Sequence, residues 1–246
     1  MSEPIGVAQV VHSLEVGGME RVAVQLAAGL PRHRYRPLII CLTIRGDYAD
    51  WAQREGVEVL ALGKREGKAP FLFRRLARFL KEKGVSLVHA HNSGPWFTGT
   101  LAALAGRIGP VVVTDHSRPY ADRFRVRAIE WALSHAVTVV SVSEENRTRL
   151  SKHLWIPPER IRVIPNGVAP IADAPPDRLR ALRDEFRIDD RSFVFLCVAR
   201  YEAQKVWTCS SKPRICWPSA ASTHAFSSSE KEVWKRICAG GRPIPL

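Results

Sequence analysis

Short apolar runs rich in β-branched residues alternate along this chain with longer segments whose apolar residues recur every three or four positions. The short runs fall at 7–12, 38–43, 57–62, 86–90, 111–114, 137–142 and 161–164. Segments of helical period lie between them at 19–30, 48–55, 70–83, 96–105, 122–133 and 144–153. Strand-length runs that alternate with amphipathic helices are the βαβ rhythm of a parallel sheet covered by helices. Val111-Val112-Val113 and Val137-Thr138-Val139-Val140 show little polar alternation, so both of their faces are expected to be buried. The predicted fold is therefore α/β, a Rossmann-like doubly wound parallel sheet, in which ligands bind at the carboxyl ends of the strands.

The rhythm breaks at Pro165-Asn166-Gly167-Val168-Ala169-Pro170, and residues 172–176 are rich in Pro and Ala. A first domain is expected over 1–168. Residues 169–205 then read as a linker and the start of a second domain, with a helical segment at 177–186 and a buried strand at 192–199. From Val206 the composition changes: Cys209, Cys216 and Cys238, three of the five cysteines, and Trp207, Trp217 and Trp234, three of the seven tryptophans, fall in 206–246. With no periodic apolar run there, that tail is expected to be irregular and to lack a core.

Composition narrows the class. At 46% hydrophobic and 25% charged residues the chain can bury a sizeable core, which argues against a disordered or fibrous protein. No cysteines form a CxxC pair, and neither a disulfide framework nor a zinc site is expected. Met1-Ser2-Glu3-Pro4 does not resemble a secretory signal, and no apolar run reaches the roughly 18 residues of a membrane span. The expectation is a cytoplasmic protein.

The net charge of +13 calls for an acidic partner: nucleic acid, an anionic membrane or a nucleotide-sugar diphosphate. No zinc finger, RNP-like aromatic strand or helix-turn-helix is recognisable, so no specific nucleic acid is expected. Arg74, Arg75, Arg78, Lys81 and Lys83 crowd one helix, and Arg118, Arg123, Arg125 and Arg127 another. They read either as a peripheral contact with anionic lipid at the inner face of the membrane or as solvated helix faces. Leu72, Leu76, Phe79 and Leu80 supply an ordinary buried stripe that favours the second reading.

Candidate chemistry sits at strand ends. The first strand runs into Gly17-Gly18 and then a helix, so backbone N–H groups there can face an anion. Glycine would let a phosphate or a sugar hydroxyl approach the backbone, although a tight turn explains the pair as well. The segment is neither GxGxxG nor GxxxxGK[ST], which removes most support for a dinucleotide site or a P-loop. Glu20 reads first as a charge favourable to the helix dipole. Thr114-Asp115-His116 closes a buried strand, so His116 is expected at the carboxyl edge, on the same side as Gly17-Gly18. There it can bond a sugar hydroxyl or move a proton, or serve structurally. His89 and His91 share a face of another strand, and a metal site built from them is not expected.

Six segments, in order, resemble the glycosyltransferases of family 4. They are Gly17-Gly18-Met19-Glu20-Arg21-Val22, Leu87-Val88-His89-Ala90-His91, Val113-Thr114-Asp115-His116, Ser141-Val142-Ser143-Glu144, Val163-Ile164-Pro165-Asn166-Gly167-Val168 and the stretch from Val198 to Lys205. The resemblance implies the GT-B fold of two Rossmann-like domains with the site between them. It implies metal-independent hexosyl transfer, without a cofactor, from a UDP- or GDP-linked sugar to a hydroxyl acceptor in an envelope polysaccharide, lipopolysaccharide or glycolipid.

Carried over by position, His116 would approach the transferred sugar, and Gly17 and Gly18 would line the diphosphate or acceptor loop. Arg200 and Lys205 would neutralise the donor diphosphate, with Ser143, Asn166 and Gly167 at the cleft and the interdomain crossover. After Lys205 the family pattern of glycine, long helix and paired glutamates is not followed. The expectation is a reading frame shifted near codon 205, leaving either a truncated enzyme or a non-catalytic acceptor-side remnant.

Overall fold

The computed structural model describes residues 3–65, 71–116, 124–168 and 173–189. The apolar runs form β1 (Ile5–Val11), β2 (Tyr35–Cys41), β3 (Glu58–Ala61), β4 (Val85–His91), β5 (Val111–Asp115), β6 (Thr138–Ser141) and β7 (Ile161–Val163). The amphipathic segments form α1 (Gly18–Gly29), α2 (Tyr48–Arg54), α3 (Leu72–Glu82), α4 (Ser93–Gly106), α5 (Phe124–Ser134) and α6 (Glu144–Leu154). All seven strands join one sheet in the order β3-β2-β1-β4-β5-β6-β7, and every neighbouring pair is parallel. The fold is the α/β Rossmann-like sheet that the alternation predicts. Its strand order reverses between β1 and β4, and a crevice at the carboxyl ends opens at such a switch point.

Successive side chains of a strand point to opposite faces, and the two cores follow that period. Ala8 and Val10 of β1 join Leu38, Ile40, Val88, Ala90 and Val113 beneath Leu76 and Leu80 of α3, Trp96 of α4, and Leu150 and Leu154 of α6. Val11, with Ile39, Cys41 and Val59, packs on the other face against Ala23, Val24 and Ala27 of α1 and Ala49 and Ala52 of α2. Burying each Leu, Ile or Val contributes roughly 1.5–3 kcal/mol. Burial also pushes the Cys41 thiol up to about 12, so it packs as a small hydrophobe and is not a nucleophile. On α3, Leu76, Ala77 and Leu80 are buried while Arg74, Arg75, Arg78 and Lys81 are exposed. Arg75 donates to the Leu62 carbonyl at 2.6 Å.

β2 starts at Tyr35, earlier than the expected residue 38. Pro37 signals the end of a strand because it cannot donate to a ladder. It is tolerated here because β3 pairs with β2 only from Leu38 onward, so at Pro37 the strand has β1 alone beside it.

One turn sets the course of the loop after β1. Gly46 has φ +73, and a Cβ there would overlap the backbone of Leu14 and Glu15. Around it the Leu14 N–H donates to the Arg45 carbonyl at 3.1 Å, and the Leu14 carbonyl accepts from the Tyr48 N–H at 2.9 Å. The chain that leads to Gly17 therefore lies directly against the turn, which only a residue without a side chain allows.

The chain divides into two units, Met1–Val168 and Ala169–Leu246. In the second, the described residues form α7 (Pro176–Glu185), which buries none of its side chains. The expected strand at 192–199 and the tail from 206 lie outside the described residues.

Candidate functional site

Because every strand pair is parallel, all carboxyl ends lie along one edge of the sheet, and the segments that follow β1, β4, β5 and β6 emerge there together. Asn92 follows β4 directly and holds φ 62 and ψ −176, a region that glycine alone occupies without cost. The contacts around it explain why it stays. Its N–H donates to the Thr114 carbonyl at 3.0 Å, its own carbonyl accepts from the Trp96 N–H at 2.9 Å, and its side-chain oxygen accepts from the His116 N–H at 2.9 Å. This asparagine ties the end of β4 to the end of β5 and fixes where His116 leaves the sheet.

Three imidazoles meet behind that edge. His89 and His91 share a strand face, with ring centroids 4.3 Å apart, and the His91 and His116 rings are 5.2 Å apart. His91 is 0% exposed. Its Nδ1 lies 3.0 Å from His116 Nε2, and its Nε2 lies 2.8 Å from Oε1 of Gln9, a buried residue of β1. His89 Nε2 lies 2.8 Å from Thr114 Oγ1.

Burial pushes His116 down to about 4 against an opposing pull from Asp115, and pushes His89 to about 4 with help from the neighbouring His116. The same burial, with both neighbouring imidazoles, drives His91 well below its ordinary value. All three rings are neutral near pH 7. Among the described residues no group of three or more His, Cys, Asp or Glu side chains is placed to hold a metal ion. The ring nitrogens just described are engaged with Gln9, with Thr114 and with each other.

A second polar network continues along the edge from β5 to β6. The Asn146 side-chain amide donates to the Asp115 carbonyl at 3.1 Å, to Asp115 Oδ1 at 3.0 Å and to Ser141 Oγ at 3.0 Å. Ser143 caps α6, its hydroxyl accepting from the Asn146 N–H at 3.1 Å, which satisfies one of the free donors at that helix start. Nearby, Ser93 at the start of α4 donates to the buried carboxylate of Glu130 on α5.

The expected residues fare differently. His116 and Ser143 are drawn into these networks, and for Ser143 the cap gives its hydroxyl oxygen a structural task. Gly17 caps α1 with an extended backbone, φ −170 and ψ 163, that any residue adopts. Gly18 opens the helix, and a Cβ there would meet nothing within 4 Å. Neither a left-handed turn nor packing against the rest of the protein therefore explains Gly18. Asn166 and Gly167 are exposed beyond β7. Arg200 and Lys205 lie outside the described residues. Gln9, Asn92 and Asn146 were not singled out from the sequence, although Gln9 left a signal, a lone amide within the apolar run Val7-Ala8-Gln9-Val10-Val11.

Comparisons with known proteins agree with the fold. The model of the family described as Glycosyltransferase Family 4 matches residues 16–170. A UDP-Gal:alpha-D-GlcNAc-diphosphoundecaprenol alpha-1,3-galactosyltransferase from Escherichia coli is 28% identical over 204 residues, covering 77% of this chain and 52% of the relative. Among solved structures, a glycosyltransferase from Rickettsia africae ESF-5 aligns with a TM-score of 0.65 at 20% identity, covering 77% of this chain and 51% of its own. Anabaena Alr3699/HepE, solved with UDP-glucose, aligns with a TM-score of 0.59 at 19% identity, covering 74% and 49%. At such identities the structural matches speak to the fold. The chain spans about half the length of these relatives.

Two substitutions test this edge. Asn92→Ala keeps the strained backbone and removes the acceptor for the His116 N–H, and is expected to cost about 1–3 kcal/mol of unfolding free energy. Asn92→Gly relaxes the backbone, so its cost in denaturant melts should be smaller; equal losses would show that the φ of Asn92 stores no strain. For the imidazoles, the unfolded chain binds more protons than the folded one between about 4 and the ordinary 6.5, so stability rises with pH across that window and is lost as pH falls. Each such histidine contributes a slope of up to about 1.4 kcal/mol per pH unit. His116→Gln should flatten the measured slope by up to about that amount, and an unchanged slope would contradict a neutral, half-buried His116.

Proposed function

Since this chain belongs to glycosyltransferase family 4, we propose that its first 168 residues form the acceptor-side half of a nucleotide-sugar-dependent glycosyltransferase. The observation that carries the reading is the meeting of the Gly17-Gly18 helix start, His116 and Ser143 at one carboxyl edge, within the stretch that the family model spans. The reaction would move a hexosyl group from a UDP- or GDP-linked donor to a hydroxyl of a glycan or lipid-linked acceptor, without a metal or another cofactor. The E. coli relative uses UDP-Gal and a diphosphoundecaprenol-linked acceptor, which makes a UDP-hexose and a polyprenyl-diphosphate glycan the first choices here. Both ligands carry a glycosyl diphosphate.

In this reading His116 is a neutral hydrogen-bond partner for a hydroxyl of the transferred sugar. Gly18 leaves the start of α1 open to a diphosphate, whose charge suits a helix N-terminus, whereas at Gly17 the flexible Glu20 side chain, whose carboxylate lies close by, would have to swing aside. The open space around a Cβ at Gly18 supports that role. Arg200 and Lys205, by resemblance, would neutralise the departing nucleoside diphosphate, and losing one such contact costs on the order of 3 kcal/mol of transition-state stabilisation. Asn166 and Gly167 would sit at the crossover between domains. A second reading is a non-catalytic acceptor-side domain that binds a glycosyl diphosphate without transferring the sugar.

Titration of the full chain with UDP-Gal and with a short-chain prenyl-diphosphate GlcNAc, alongside a labelled-sugar transfer assay, tests the proposal. Binding of a glycosyl diphosphate is expected to weaken at least about tenfold in Gly18→Val while the melting temperature is unchanged. Binding without transfer selects the acceptor-side domain over the enzyme. A folded chain that binds neither compound, or a Gly18→Val variant that binds as well as the parent, overturns the assignment.

A further inference from the structure

We infer that Gln9 and His91 are positioning residues that hold His116 as its Nε2–H tautomer, so that His116 Nδ1 is presented as a hydrogen-bond acceptor to a sugar hydroxyl. The sugar rests on the proposed function; the tautomer rests on geometry alone.

A neutral imidazole has one N–H and one bare nitrogen. His91 is 0% exposed, and each of its ring nitrogens faces a polar atom, so one must donate and the other accept. The direction is set in β1. At 2.8 Å from His91 Nε2 stands the amide oxygen of Gln9, which can only accept. His91 therefore carries its proton on Nε2, and its Nδ1 is a lone pair. The atom 3.0 Å from that lone pair, His116 Nε2, must be the donor. His116 is then protonated on Nε2 and bare on Nδ1. Among the described residues, no hydrogen bond of the protein uses that Nδ1.

The direction follows from the Gln9 amide oxygen facing His91, and the first members of the series are buried. Gln9 is 3% exposed, and reversing the series would turn its amide and shift the proton on both imidazoles. A buried group left without its partner costs about 1–3 kcal/mol. His116 itself is only half-buried and stands at the edge where β5 ends, so the setting made inside the sheet is read out at the surface. An acceptor fixed in this way prefers a ligand with a hydroxyl at that position over one without it.

The full chain, labelled with 15N in its histidine rings, can be examined by long-range 1H–15N correlation at neutral pH, with the His116 signals assigned by their loss in His116→Gln. The expected spectrum shows Nε2 protonated and Nδ1 bare in both His91 and His116. Gln9→Met keeps the length of the side chain and removes the acceptor, and should lower the ratio of Nε2–H to Nδ1–H forms of His116 by about tenfold. A parent protein with His116 protonated on Nδ1 overturns the inference, as does a folded Gln9→Met protein with an unchanged tautomer. Should Gln9→Met not fold, the parent spectrum decides by itself. The expected tautomer in a chain that binds no glycosyl diphosphate would support the relay and overturn its assigned ligand.

Discussion

An imidazole removed wholly from water must find a partner for each ring nitrogen, and the need of His91 to do so organises this edge of the sheet. Its partners come from both neighbouring parts of the chain, Gln9 from β1 and His116 from the end of β5. Both matches hold in one register only. A one-residue slip of β4 would turn His91 toward Leu76, Trp96 and the rest of the apolar layer, away from Gln9 and His116. Polar pairing thus specifies how β1, β4 and β5 align, while apolar burial supplies most of the stability. The alignment falls where the strand order reverses, the place at which ligands bind in open α/β sheets.

Asn92 extends this constraint to the surface. Its backbone stands in a region that costs on the order of 1–3 kcal/mol, and the hydrogen bonds to Thr114, Trp96 and His116 offset that cost. Strain held at a strand end by bonds to the neighbouring strand keeps the exit of His116 fixed. The Asp115, Asn146, Ser141 and Ser143 network does the same for the next strand. On the other side, the close packing of Gly46 against Leu14 and Glu15 steers the loop that ends at Gly17. Three local devices therefore hold the segments after β1, β4, β5 and β6 without any one of them being long.

The sheet and its helices were legible because burial imposes a period. The parallel class followed from apolar runs buried on both faces, as at Val111-Val112-Val113. Local punctuation misled at the ends: α4 begins at Ser93, not residue 96, because Gly94 and Pro95 resemble a breaker yet fit the first turn, where the N–H groups lack helical partners in any case. His116 was legible as the first residue past a buried strand. Ser143 was found by resemblance, and its capping bond emerged only in the structure. Gln9 and Asn146 were not found, because the contacts of Gln9 with His91 and of Asn146 with Asp115 are distant in sequence and are met only once the strands align; in the text each is one amide among many. The strain at Asn92 carried no sequence signal, since asparagine is unremarkable in a loop.

The central claim is that the ends of β1, β4, β5 and β6 form a single ligand-facing surface. Amide chemical-shift mapping of the full chain during titration with a glycosyl diphosphate tests it most directly. The account predicts that the signals of Gly17, Gly18, Asn92, His116 and Ser143 move together and with a common affinity. Movement confined to Gly6, Gly84 and Gly109, at the amino ends of β1, β4 and β5, would contradict it.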